Sequence, residues 1–387
     1  MRILHIDTER GWRGGERQAL WLAVELARRG HTMLMAARSG EPLGRRAVDA
    51  GVDVVPCAPA FEGDPRAALR LRAVVRRGRF DLVHAHTAHA ITLGALATIG
   101  TRVPLIAARR VDFPLRRNAG TRWKYGRAAA IIAVSQAVAR VLTAGGIDGQ
   151  RIAVVPDGTD VHRTIAAASA ATLSSLGVVA GRPLAVQVAQ LFGHKDPLNF
   201  VHAIAAARES VPELQALLVG DGPLRPDAEA AMRALGLEHV LHFAGYRTDA
   251  DALLAAADVA VLSSRDEGMG SVLLDALLLG KPIAATRAGG IPEIISHDVT
   301  GLLAPTGDGR ALGNNIARLI RDRALAARLG AAARERVHEF SVERMADRTL
   351  AVYEDVLAGR SPDGRDETTR RTAAATRASS DSSIRAS

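Results

Sequence analysis

Residues 263–286 read SSRDEGMGSVLLDALLLGKPIAAT. An apolar run ends at Ser263, and a loop with Gly268 and Gly270 follows. An amphipathic helix then runs to about Leu279, where Gly280 stops it, and a second apolar run ends at Thr286. Strand, turn, helix and strand in this order form the unit of a parallel sheet with crossover helices. The alternation extends outward in both directions. Downstream it continues into TGLLAP (300–305), and upstream it passes through ADVAVLSS (257–264), HVLHFAG (239–245) and LQALLVGDG (214–222) to PLAVQVAQ (183–190). A turn-rich interval of small residues, 164–181, precedes this series. Before it lies a second series, from RILHI (2–6) through a helical pattern at Glu16–Arg29, HTMLMAA (31–37), DLVHAH (81–86), VPLIAA (103–108) and AAIIAVS (129–135) to RIAVVP (151–156).

The pattern predicts an α/β protein of two tandem Rossmann-like, doubly wound domains, residues 1–170 and 171–340. A helix over 341–358 is expected to return to the N-terminal domain. The polar tail 359–387, almost without large apolar residues, is expected to be disordered. A length of 387 residues suits two cores, and 48% hydrophobic with 24% charged residues excludes a wholly disordered chain. The start MRILHIDTER carries charges at Asp7, Glu9 and Arg10, so no signal-peptide core is expected. The apolar stretch Ala88–Thr101 stops at Arg102, too short to span a membrane. The single cysteine, Cys57, excludes an intramolecular disulfide and a cysteine-rich metal site and suits a reducing cytoplasm.

The positive charge lies in the first half. Residues 1–170 carry 26 basic and 14 acidic side chains, whereas 171–387 carry 24 and 27. Arg109, Arg110, Arg116, Arg117, Arg122, Lys124 and Arg127 crowd one segment opposed only by Asp112, with Phe113, Trp123 and Tyr125 interleaved. Such a segment suits an anionic partner, a phosphate-bearing acceptor or an anionic membrane surface. A solvated arginine-rich face is the plain alternative.

Ligands of doubly wound sheets sit beyond the carboxyl ends of the strands. At the 263–286 junction, backbone N–H groups of the glycine-opened helix start can hold a phosphate. Glu267 and Asp275 stand roughly 12 Å apart along a helical path. That distance is too great to share a proton, but it suits hydroxyl groups at two ends of an elongated ligand.

EGMGSVLLDALLLGKPI resembles the hallmark of the retaining glycosyltransferases of family four, in which a Glu is followed eight positions later by a second carboxylate, here Asp275. The resemblance covers residues 1 to about 357 and implies the two-domain GT-B fold, with an N-terminal acceptor domain and a C-terminal nucleotide-sugar domain. It also implies a metal-independent transfer of a hexose-like sugar from a nucleotide diphosphate donor, with retention of configuration. Glu267 would contact the donor sugar and Asp275 the ribose. WRGGERQALWLAVELARRGH supplies Gly14 and Gly15 for the donor phosphates, next to Gly268, Gly270 and Ser271 of the second loop. VVPDGTD supplies Asp157 and Gly158 at the start of the interdomain region. VAQLFGHKDPLNFVHAIA places Lys195 at the family's lysine position and Gln190 where the family has arginine, so Arg265, or Arg109 and Arg110 on the acceptor side, could supply the second cation. Tyr246 of FAGYR falls at the base-stacking position.

The HAHTAH run gives His84, His86 and His89. Strand alternation puts His84 and His86 on one side, and His86, nearest the strand end, is the candidate catalytic residue on the acceptor side. A zinc reading of the three histidines lacks a second ligand cluster. Asp249 and Asp251 form an Asp-x-Asp pair that helix capping explains, and GWRGGER does not fit a dinucleotide fingerprint. The expectation is a cytoplasmic enzyme suited to the inner face of a membrane, without metal, cofactor or nucleic-acid partner. Its acceptor would be a glycan or lipid-linked precursor of polysaccharide biosynthesis. A non-catalytic nucleotide-sugar or polyanion binder, prompted by Gln190 and Asp275, and a nucleotide-sugar epimerase are the alternatives.

Overall fold

The computed structural model describes residues 1–116 and 118–362. Arg117 of the basic segment and the stretch 363–387, most of the tail expected to be disordered, lie outside the described residues. The first sheet consists of β1 (Arg2–Ile6), β2 (Thr32–Ala37), β3 (Asp53–Pro56), β4 (Leu82–Ala85), β5 (Leu105–Arg109), β6 (Ala128–Ala133) and β7 (Ile152–Val154), in the spatial order 3-2-1-4-5-6-7. The second consists of β8 (Leu184–Val188), β9 (Gln215–Val219), β10 (Leu241–Gly245), β11 (Val259–Leu262), β12 (Ile283–Thr286) and β13 (Leu302–Ala304), in the order 10-9-8-11-12-13. Every pairing in both sheets is parallel. Both sheets therefore reverse direction beside their first strand, which opens a crevice at the strands' carboxyl ends.

The inner strands are short apolar runs buried on both faces, as parallel strands covered by crossover helices must be, whereas the edge strands β3 and β10 are only partly buried. On β1, Ile3 packs into one core cluster while Leu4 and Ile6 pack into another, the two-residue alternation of a strand. The Ile3 cluster takes Leu22 and Leu26 from the helix Gly14–Arg28 and Val342, Met345 and Tyr353 from the helix Val342–Leu357, so the C-terminal helix packs on the N-terminal domain. The Leu4 cluster runs on without a break into Leu262, Met269 and Leu273 of the second domain. No helix among the described residues is long and apolar enough to cross a membrane.

Candidate functional site

A cleft of about 900 Å³ lies between the carboxyl ends of the two sheets and takes side chains from both domains. Gly14, Gly15, Gln190, Lys195, Tyr246, Glu267, Gly268, Gly270, Ser271, Asp275, His86, Arg109 and Arg110 all line it, so the residues singled out from sequence converge on one cavity.

At one end, Glu267 is nearly buried in the loop after β11. Its carboxylate forms an ion pair with Lys195 Nζ and accepts Ser264 Oγ at 3.0 Å. Lys195 closes a short 3-10 turn whose next residue, Asp196, caps the helix Pro197–Arg208 by accepting the Asn199 N–H. Arg265, a candidate second cation, instead binds Asp196 at 2.9 Å and points largely into solvent. Gln190 is half-buried on the cleft wall.

At the other end, Gly270 opens the helix Ser271–Leu278 at φ +86°, a backbone that only glycine adopts without strain. Gly14 meets that helix across the cleft, where a Cβ would stand 2.4 Å from Ser271 Oγ. The two glycine-opened turns thus face each other as one cradle of backbone N–H groups. Asp275 is buried with both oxygens engaged: Arg17 Nη2 donates to Oδ2 at 2.9 Å and Arg163 Nη2 to Oδ1 at 2.7 Å. The Trp21 ring lies under both guanidinium groups, at 4.8 Å and 5.7 Å. Asp275 therefore has two arginine partners, Arg17 from the first domain and Arg163 from the interdomain segment. Gln18 fixes that segment by pairing with both backbone groups of Gly158, at 2.7 Å and 2.9 Å. Tyr246 is 62% exposed on the cleft wall, a position that core packing does not explain.

The arginines expected on the acceptor side are less free than their sequence context implied. Arg109 is buried, donating to Tyr125 Oη at 3.1 Å and to the Phe113 carbonyl. Arg110 pairs with Asp157 at 3.1 Å and reaches His86 Nδ1 at 3.4 Å. Burial raises the Asp157 carboxyl despite that arginine. His86 stacks on His5, whose strand pairs with β4 so that His5 faces His84. His5 Nδ1 and His86 Nε2 are 2.8 Å apart, and His84 Nδ1 and Tyr353 Oη 2.6 Å apart. Because Arg110 only donates, His86 accepts at Nδ1, carries its proton on Nε2 and gives it to His5. Burial, with neighbouring histidines and Arg110, holds the His84 and His86 imidazoles well below their ordinary range, so they stay neutral. The histidine cluster is thus His5, His84 and His86, with ligand-capable atoms within 4.8 Å of one another. His89 is instead exposed, 3.8 Å from Glu62. Asp249 makes no capping bond and holds Arg247 in a two-pronged pair, while Asp251 binds Arg163; pairing with arginine, not capping, accounts for the Asp-x-Asp.

Sequence reading missed Arg17, Arg163, His5 and the role of Asp112, whose Oδ2 accepts the Glu267 N–H at 2.7 Å. No local signal marks them, because each meets its partner across a domain boundary or a strand pairing.

The family described as "Glycosyl transferases group 1" matches residues 172–336, and "Glycosyltransferase Family 4" matches residues 12–163. The chain is 33% identical over 261 residues to a 2-deoxystreptamine glucosyltransferase of Streptomyces kanamyceticus, covering 66% of this chain and 67% of that one. It is 26% identical over 377 residues to a D-inositol 3-phosphate glycosyltransferase of Saccharomonospora viridis, covering 87% and 88%. An Anabaena protein, HepE, solved in complex with UDP-glucose, superposes with a TM-score of 0.80 at 23% identity, covering 93% of this chain and 100% of that one.

Proposed function

Since the chain belongs to the retaining, GT-B-fold glycosyltransferases of family 4 and transfers hexosyl groups from a nucleotide-sugar donor, we propose that its donor is a uridine diphosphate hexose. The sugar and diphosphate of this reading are carried by the pairing of Glu267 with Lys195 beside the facing turns at Gly14 and Gly270, and the uridine by the likeness to HepE, solved with UDP-glucose. The diphosphate would lie in the cradle of backbone N–H groups and take Lys195 as its side-chain cation. The sugar would lie against Glu267, the ribose against Asp275, and the base against Tyr246. Lys195 is placed to stabilise the charge that develops on the diphosphate as the glycosidic bond breaks, and the bound geometry supplies much of the remaining rate. His86, neutral and pointed at Arg110, orients the acceptor side and does not serve as a strong base. No metal ligand is needed in this scheme.

The acceptor is a glycan or lipid-linked molecule held by the basic N-terminal domain of a cytoplasmic enzyme. Support for docking on an anionic membrane comes from Trp123, 40% exposed in the segment that also carries Arg116 and Arg122. A donor panel read by nucleotide diphosphate release in the presence of EDTA tests the reading. Turnover should be highest with a uridine diphosphate hexose and indifferent to the chelator. Preference for another base, or a changed sugar still attached to intact nucleotide, would overturn it.

A further inference from the structure

The loop that carries Glu267 is gripped by the opposite domain. Asp112 Oδ2 accepts the Glu267 N–H at 2.7 Å, and Ser135 Oγ donates to the Gly268 carbonyl at 2.6 Å. A third tie runs the other way: the Glu293 carboxylate accepts the N–H groups of Gln136 and Ala137, at 2.8 Å and 2.9 Å, in the first turn of the helix Gln136–Ala144. The fit leaves no slack. A Cβ on Gly268 would stand 2.0 Å from the Arg110 carbonyl oxygen, and one on Gly290 would stand 2.3 Å from the Gly268 oxygen and 2.9 Å from Ser135 Cβ. Behind the loop, the Gly290 N–H donates to the Glu267 carbonyl at 2.9 Å. The loop is thus wedged between residues 110–112 of one domain and 289–290 of its own.

Asp112 lies between Arg110, which reaches His86, and Phe113, whose carbonyl holds Arg109. We propose that Asp112 is a positioning residue that couples the acceptor-side loop to Glu267, so that the donor-sugar carboxylate is set in place only while the acceptor domain is docked. When the cleft opens, the Glu267 N–H loses its partner to water and the loop gains freedom. Activation of the donor sugar is then withheld from a cleft still full of water. The inference deepens the donor reading above and rests on it for its kinetic consequence, but not for the contact itself.

The test compares Asp112→Ala, which removes the acceptor oxygen, with Asp112→Asn, which keeps one. Amide hydrogen exchange of the unliganded protein reads the contact directly. Exchange over residues 265–270 should rise about tenfold in Asp112→Ala, stay near wild type in Asp112→Asn, and leave the rest of the C-terminal domain unchanged. Ser135→Ala should loosen the same segment from the Gly268 side, which guards against a fold defect in either Asp112 variant. With UDP-glucose as the probe, kcat of Asp112→Ala should fall about tenfold while UDP affinity holds within about twofold. Unchanged exchange in Asp112→Ala, an equal rise across the whole domain, or an asparagine variant as loose as the alanine one would each overturn the proposal. Loosening confined to 265–270 in an enzyme that does not turn over UDP-glucose would uphold the coupling and refute the donor assignment alone.

Discussion

Glu267 in the loop after β11 and Asp275 in the helix that follows it are held in opposite ways. Glu267 finds its charged partner inside its own domain, in Lys195, while the other domain holds the backbone of its loop at Glu267 and Gly268 and meets the Met269 sulfur through the Asp157 N–H. Asp275 finds both partners outside its sheet, in Arg17 of the first domain and Arg163 of the connecting segment. Opening the cleft would therefore leave the Glu267–Lys195 pair intact and disturb only its geometry. At the other end the same motion separates an ion pair. A ligand at Glu267 meets a charge-balanced pair, whereas a hydroxyl at Asp275 must share its acceptor with guanidinium groups. Sharing is feasible, since a carboxylate offers about four lone-pair positions and two are taken.

The largest expected effect lies at the Glu267 end. With the carboxylate facing the reacting sugar as proposed, Glu267→Ala should lower kcat by about a hundredfold, or some 3 kcal/mol, because its interactions would strengthen in the transition state. UDP affinity, measured by calorimetry, should stay within about twofold. Near-normal turnover would erase the distinction between the two ends.

If Lys195 holds the diphosphate as proposed, Lys195→Ala should act on both rate and donor binding, costing about 2 kcal/mol in kcat/KM, because the diphosphate carries its charge in the ground state and as a leaving group. Gln190→Arg, which restores the cation the family expects, should tighten UDP binding. Titrations showing no change in either variant would place the diphosphate elsewhere.

The fold and the placing of Glu267 with Gly268 and Gly270 at a strand-to-helix turn were legible in sequence because their signals are local: strand and helix periods, glycines that open turns, and a carboxylate at fixed spacing from them; the contacts of Glu267 with Lys195 and Asp112 were not. The environment of Asp275 was not, since Arg17 and Arg163 lie far from it in the chain and nothing in their own segments marks them as its partners. The histidine cluster was half-legible. Alternation places His84 beside His86, but only the β1–β4 register, which pairs His5 with His84, reveals the third member. Likewise Arg109 reads as a free cation in a basic segment and proves to be tied by Tyr125 and Phe113.

The histidines beneath the cleft predict a pH effect on stability. Burial, and secondarily Arg110, lowers His5 from 6.5 to about 3. The unfolded chain thus takes up a proton that the native state refuses as pH falls below 6.5, so stability is full above that value and declines toward about pH 3. Each such histidine contributes a slope of about 1.4 kcal/mol per pH unit. Asp7, raised by burial to about 7, opposes part of this, because its native form gains a proton in the same window. His5→Gln isolates the histidine. Denaturant midpoints between pH 7.5 and 5.5 should fall less steeply for the variant than for wild type, and parallel curves would refute the linkage.

The smallest effect, and the sharpest discrimination, concerns the pair of arginines. If Asp275 serves the ribose, Asp275→Ala should weaken UDP binding about fivefold, near 1 kcal/mol, with kcat for bound donor preserved. Arg17→Ala removes a competitor for the same oxygen while Arg163 still anchors the carboxylate, so UDP should bind as well as before or better. The two substitutions break the same ion pair, yet only Asp275→Ala should weaken nucleotide binding. If both weakened binding equally, Asp275 would matter only as a counter-ion that sets the docking of the domains, and the ribose would have to be held by other groups. If neither moved it, the Arg17–Asp275 bridge would be a closure contact alone, and the two ends of the cleft would differ in their role in binding as well as in construction.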